Sequence, residues 1–294
     1  MRSLDAETAT SNLDGSDGSQ EAIGEIIRRR KSLTEAQVEQ VLMYQRKHGV
    51  RFGEAAIALK LATHDDVMQA LSVQFDYPHS SFQEEPCPPE LVTAARPFSD
   101  QAEIFRDLRS QLLMGVLGPD QPRRALAVIS PNVGDGKSYV AANLAVSLSQ
   151  LGANTLIVDA DLRSPRLHAL FGVPSSAGLS GMLSGRGNNE VFSVAGLPSL
   201  FVLPAGATPP NPLELIERPA FGLLVHELLT RFDHVVVDTP AAALGSDARV
   251  IANKCGATLV LARRGATRTK ALRSLLQALH KGPSELAGIT VNNY

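Results

Sequence analysis

Ser130-Pro131-Asn132-Val133-Gly134-Asp135-Gly136-Lys137-Ser138 decides the fold. An apolar run, Ala125 to Ile129, precedes it, and a helical pattern, Tyr139 to Leu151, follows. Strand, glycine loop, Gly-Lys-Ser and helix, in that order, make a cradle for nucleotide phosphates. Gly134 and Gly136 let the backbone turn its N–H groups toward phosphate oxygens. The helix N-terminus adds a partial positive charge. Val133, Gly134, Asp135, Gly136, Lys137, Ser138 and Tyr139 are therefore the expected cofactor-binding stretch. Within it Lys137 reaches the outer phosphates, the Ser138 hydroxyl suits magnesium, and the Tyr139 side chain is expected to pack. Pro131 stands where such loops usually carry their first glycine. A glycine loop before an ordinary helix is the plainer alternative, and Gly-Lys-Ser at a strand-to-helix junction argues against it.

Outward from the loop, strand-like runs and helical patterns alternate. The apolar runs are 125–129, 155–159, 200–203, 234–237, 257–262 and 288–291. Helical patterns include 139–151, 219–231, 246–253 and 269–280. That alternation predicts an α/β fold, a parallel sheet with helices on both faces. Ligands then sit beyond the carboxyl ends of the strands. Two of those ends carry carboxylates. Leu156-Ile-Val-Asp159-Ala-Asp161-Leu-Arg163 places two aspartates two residues apart, on one side of an extended chain. Val235-Val-Val-Asp238-Thr-Pro240 is a second buried strand ending in a carboxylate, with Pro240 fixing the turn. Either alone fits a turn-forming aspartate. In the order loop, Asp-x-Asp, Val-Val-Val-Asp-x-x-Pro they point to one magnesium–triphosphate site, with Ser138, Asp159 and Asp238 as metal candidates.

Composition narrows the choices. A chain of 294 residues, 44% hydrophobic and 20% charged, reads as globular and long enough for two domains. A net charge of −2 gives no overall pull toward nucleic acid. Two distant cysteines, Cys87 and Cys255, fit a reduced, cytoplasmic chain. No apolar run is long enough to span a bilayer and no signal core is visible, so a membrane role is expected to run through a partner. The expected organisation is a disordered tail over 1–20 and a small all-helical domain over 22–75. A proline-rich linker over 76–99, with a short helix near Glu90 to Ala95, leads to the α/β domain over 100–294.

The helical domain is a duplication. Residues 22–45 and 51–74 share Gly24/Gly53, Glu25/Glu54, Lys31/Lys60, Thr34/Thr63, Val38/Val67, Gln40/Gln69, Leu42/Leu71 and Gln45/Gln74. A fixed period means a repeated structural unit. Thr34 and Thr63 stand where N-caps belong, so each copy reads as a short helix, a turn and a longer helix. This resembles the N-terminal domain of type II secretion and type IV pilus ATPases, which includes cyclic di-GMP receptors. The resemblance implies cyclic di-GMP as a possible ligand. The motif's initial arginine is present once, as Arg51, and Lys31 and Lys60 replace its mid-motif glycine.

From about residue 97 onward the three phosphate-site segments resemble the bacterial tyrosine kinases of capsule and exopolysaccharide operons, in the P-loop class of the ParA and MinD ATPases. Pro209-Pro-Asn-Pro-Leu-Glu-Leu215, Gly178-Leu-Ser180 and Asp247-Ala248 are lesser matches. The layout is similar to the exopolysaccharide chain-length-determinant group. The resemblance implies ATP and Mg2+ as cofactors, Lys137 and Asp161 as catalytic residues, and Asp161 as acceptor of a tyrosine hydroxyl proton. Arg163 either contacts phosphates or fixes its loop, and the residues leave both open. The implied partner is an inner-membrane polysaccharide co-polymerase, which would hold a cytoplasmic chain at the membrane.

Glu103-Ile-Phe-Arg106-Asp-Leu-Arg109 shares one helical face. It matches the family's Glu-x-x-Arg-x-x-Arg helix, which implies a homo-oligomer through Glu103, Arg106 and Arg109; a solvated face with weak ion pairs is the alternative. The family's tyrosine-rich tail is missing: the tyrosines are Tyr44, Tyr77, Tyr139 and Tyr294. Two readings follow: a kinase whose acceptor lies on another protein, or an ATP-gated switch with little kinase activity. A partitioning-type ATPase on DNA ranks last, since no basic stripe stands out.

Overall fold

The structure, a computed structural model, describes residues 23–74, 87–186 and 191–293. The expected disordered tail, 1–20, and Tyr294 lie outside the described residues, as does part of the expected linker. The chain divides into two compact units, Met1–Tyr77 and Pro78–Tyr294.

Among its described residues the first unit contains four helices: α1 (Ile23–Lys31), α2 (Glu35–His48), α3 (Phe52–Ala58) and α4 (His64–Gln74). α3 and α4 each begin 29 residues after α1 and α2, the offset of the sequence repeat. Both long helices start on the same device. The Thr34 hydroxyl accepts from Gln37 N while Gln37 Oε1 accepts from Thr34 N; Thr63 and Asp66 repeat the exchange. Ile26, Ile27, Val41, Ala55, Ala56 and Ala70 close the core. Gly53 is required by packing: a Cβ there would come within 2.6 Å of Val67 Cγ1. Lys60 has a left-handed φ of +57°, which suits the glycine of the related motif better than a lysine. Lys31 pairs with Asp66 at 2.8 Å. The unit is thus a duplicated helical module. A cyclic di-GMP site is not supported: Arg51 begins the second copy, and Ala22 stands at its place in the first.

The second unit opens with α5 (Val92–Ala95) and α6 (Asp100–Met114), then runs β1 (Ala125–Ile129), α7 (Lys137–Ser149), β2 (Thr155–Asp159), α8 (Leu167–Phe171) and α9 (Leu179–Leu183). It continues through β3 (Phe192–Val194), β4 (Leu197–Leu203), α10 (Pro212–Glu217), α11 (Pro219–Arg231) and β5 (His234–Asp238). α12 (Asp247–Cys255), β6 (Gly256–Arg263), α13 (Thr269–Leu279) and β7 (Glu285–Asn292) complete it. The strands form one sheet in the order β3-β4-β2-β5-β1-β6-β7. All neighbours are parallel except β3, which runs antiparallel to β4. That edge strand is too short to show in the apolar pattern. Elsewhere the side chains alternate as a doubly covered sheet requires. Leu126, Val128, Ile157 and Val236 pack beneath α5, α6 and α7, while Ala127, Val158, Val235 and Val237 pack beneath the helices from α9 to α13.

The expected linker over 76–99 is corrected at its C-terminal end. Leu91, Val92 and Ala94 are buried in the core of the α/β unit. Thr93 N donates to Asn143 Oδ1 and Thr93 O accepts from Gln150 Nε2, both on or next to α7. The α/β unit therefore begins before Asp100, and apolar α5 is what anchors it. The Glu103-Arg106-Arg109 face also differs from a free docking face. Arg109 is buried and donates to Ser147 O at 2.7 Å. Arg106 bonds Glu103 and the Pro97 carbonyl. Both arginines thus brace α6 within its own subunit.

Candidate active site

The parallel sheet brings the three motif segments together at one rim. Asp159 and Asp238 end β2 and β5 in direct register. Val128 of β1 is in register with Asp238 on its other side, and the glycine loop begins two residues later. All three strands are buried through the register that they share, and their carboxylates stand at the carboxyl rim.

The loop has the backbone that phosphate binding needs. Gly134 has φ +82° and Gly136 φ +100°, both in the region a side chain disfavours. At Gly136 a Cβ would also come within 2.3 Å of Asn292 Nδ2. Lys137 begins α7 with its side chain largely buried, and its Nζ donates to Ser130 Oγ at 3.3 Å. Asp135 is buried and serves the loop itself: Oδ2 accepts from Asn132 N, and Oδ1 accepts from the Thr267 hydroxyl. Tyr139, half-buried, packs edge-on against Phe105. Val133 is exposed at the loop tip.

The two strand-end aspartates have different surroundings. Asp159 accepts three amides: Oδ1 from Asp161 N, and Oδ2 from Arg166 N and Leu167 N at the start of α8. Asp238 is equally buried, yet neither carboxylate oxygen has a hydrogen-bond partner. Burial raises the pKa of both, and each is raised further by a carboxylate nearby. Ser138 and Lys137 lie close enough to Asp238 to oppose part of that rise, although the Ser138 hydroxyl does not reach hydrogen-bond geometry. Two orphaned, buried anionic oxygens beside a serine hydroxyl and a lysine are what a hard divalent cation with oxygen ligands would satisfy. The residues fit magnesium.

Asp161 is almost fully buried, and its Oδ1 accepts from Arg163 N and Ser164 N. Arg163 is paired with the segment after β5. Its guanidinium grips both oxygens of Asp247, at 3.1 and 3.0 Å, and Asp247 is buried at the start of α12. A Cβ on Gly245 would press on both partners, within 2.7 Å of Asp247 Oδ2 and 3.4 Å of an Arg163 nitrogen. Arg163 thus fixes the Asp161 loop to the segment after β5. Removing one partner of such a pair leaves a buried charge unmatched. Arg163→Ala is expected to cost about 2 kcal/mol of stability, discounted for the partly exposed guanidinium. Adding Asp247→Ala should recover part of the loss. Denaturant titration of the two single variants and the double would measure a coupling of at least about 1 kcal/mol, and strict additivity would refute the clamp.

The residues that brace the loop from β6 and β7 were not singled out from sequence. Arg263 donates to Gly134 O at 3.2 Å, and Asn292 Nδ2 to Asp135 O at 3.1 Å. Thr267 also accepts from Arg263 N. The available signal was position alone: polar residues that close apolar strands at the carboxyl rim.

Comparison with known proteins agrees with this geometry. A family model described as NUBPL iron-transfer P-loop NTPase, of the ParA type, matches residues 121–187. CapB of Staphylococcus aureus is 36% identical over 163 residues, which is 55% of this chain and 71% of CapB. The tyrosine-protein kinase CpsD of Streptococcus agalactiae is 31% identical over 192 residues, covering 65% of this chain and 81% of CpsD. The solved kinase domain of Escherichia coli tyrosine kinase ETK superposes with a TM-score of 0.65 at 29% identity, over 72% of this chain and 82% of that one. The likeness to CapB and CpsD, over more than two thirds of each, places the chain in the bacterial tyrosine-protein kinase family.

Proposed function

We propose that the chain is an ATP-dependent protein tyrosine kinase that regulates exopolysaccharide polymerisation and export. The observation that carries this reading is Asp238, with both oxygens buried and unpartnered, in register with Asp159 and beside the strand that feeds the glycine loop. Lys137 and the amides of Gly134 and Gly136 hold the outer phosphates. Ser138 and Asp238 would hold magnesium, with Asp159 able to offer only the remaining lone pair of Oδ1. Bound there, the cation supplies charge neutralisation on the phosphates. Lys137 adds to that neutralisation from a buried position, where charge acts more strongly than in water. Asp161 accepts the tyrosine hydroxyl proton, on a loop that Arg163 and Asp247 keep in place. Catalysis of this kind rests on placement and electrostatics.

Tyr139 packs, half-buried, against Phe105, and Tyr44 stacks on His48 within the helical unit, while Tyr77 and Tyr294 lie outside the described residues. In this reading the acceptor lies on another chain, and an inner-membrane co-polymerase is the partner. No helix among the described residues is long and apolar enough to cross a membrane, and attachment at the inner membrane would run through that partner. Incubation of the purified chain with ATP, magnesium and the co-polymerase should produce phosphotyrosine, read by immunoblot and located by mass spectrometry. Steady ATP hydrolysis with no phosphotyrosine on either protein would instead favour an ATP-gated switch.

A further inference from the structure

The expectation that no basic stripe stands out is corrected locally: a run of 29 residues, Gly256 to Ser284, contains no acidic residue and six lysines or arginines, in a chain whose overall charge is −2. The fold brings the denser part of that run to the nucleotide rim. Arg263 and Arg264 leave the carboxyl end of β6, and Arg268 is the N-cap residue of α13. Lys270 and Arg273 follow on the exposed side of α13, whose other side buries Leu275 and Leu279. All five are exposed. Arg264, Arg268, Lys270 and Arg273 have no ion-pair partner among the described residues. Next to them is an open hollow of about 400 Å³, lined by Val133 and Gly134 of the glycine loop together with Arg263 and Arg268.

We propose that this basic rim selects the protein substrate: it binds an acidic segment that lies beside the acceptor tyrosine. The inference rests on the kinase reading given above. Four unmatched cations next to a site that already draws an anionic nucleotide repel a basic peptide and attract an acidic one, by long-range steering and by short-range pairing. The fold also sets a spacing. β6 is separated from β2, which ends two residues before Asp161, by β5 and β1. Three strand spacings make about 14 Å. An extended peptide covers that distance in about four residues. The acids should therefore stand about four or more residues from the tyrosine. Because the contacts are exposed charges, they should weaken steeply with salt.

The test uses the full chain and three labelled peptides with one central tyrosine, carrying two glutamates, two glutamines or two lysines beginning four residues away. Binding is read by fluorescence anisotropy and phosphorylation by kcat/KM. The glutamate peptide is expected to bind at least tenfold more tightly than the lysine peptide in low salt, and to lose that advantage in 0.5 M salt. The variant R264E/R268E/R273E should reverse the order while its melting temperature stays unchanged; ATP is held at saturation, because charge reversal beside the nucleotide site weakens that anion too. Equal binding of the three peptides, or an unchanged order in the variant, would overturn the proposal. So would strong binding of anionic lipid vesicles or duplex DNA with no peptide discrimination. Discrimination in binding without any phosphorylation would uphold the rim and refute the kinase reading.

Discussion

Lys137→Met should lower phosphotyrosine formation by on the order of a thousandfold while the protein remains folded. Methionine has nearly the length of lysine and lacks the charge. The lysine side chain is largely buried at the start of α7, and its hydrogen bond to Ser130 is a long one at 3.3 Å. Little packing depends on the ammonium group. The phosphates depend on it heavily, because a fixed cation in a water-poor site meets charge that develops during transfer. The measurement is single-turnover phosphorylation, paired with thermal melting to confirm the fold. A well-folded variant that keeps wild-type turnover would remove Lys137 from the phosphate site.

Asp238→Asn should act in opposite directions on function and on stability. The native carboxylate is buried without a hydrogen-bond partner, and burial already drives it toward the neutral form. An amide of the same shape relieves the cost of an uncompensated anion. In chelator, the variant is expected to be more stable by about 1–3 kcal/mol, which for a domain of this size raises the melting temperature by several degrees. With magnesium and ATP the order should invert. The wild type gains stability from binding, and the variant gains little, because a neutral amide is a poor ligand for a hard dication. Calorimetric scans with and without Mg–ATP check both halves. A lower melting temperature in chelator, or undiminished stabilisation by Mg–ATP, would show that Asp238 has a structural role instead.

Much of this was legible in the sequence because it is local. Gly-Lys-Ser after an apolar run, and two apolar runs ending in aspartate, each announce a strand end by its own residues. Parallel pairing then forces those ends to one rim, so convergence needed no further information. Other features depend on distant partners. Asp159 and Asp238 look alike in sequence, and only the fold shows that amides bond the first and leave the second bare. Arg109 has the spacing of an exposed helical face, but Ser147 of α7 takes it inward. Arg163 follows Asp-x-Asp as a phosphate ligand would, yet Asp247, 84 positions along, captures it. The buried span Leu91 to Ala94 was hidden by the prolines around it. In the helical module the repeat was plain, and its threonine caps lie where the sequence places them.

The bond from Asn292 to the Asp135 carbonyl joins residues 157 positions apart. Ribosomes deliver that stretch in about 8–30 s at typical elongation rates. For that interval the newly made glycine loop has emerged without the strand that steadies it. The sheet can assemble outward from β1, but the cradle gains its last brace only when β7 joins. Translation thus delivers this brace more than a hundred codons after the motif that it steadies.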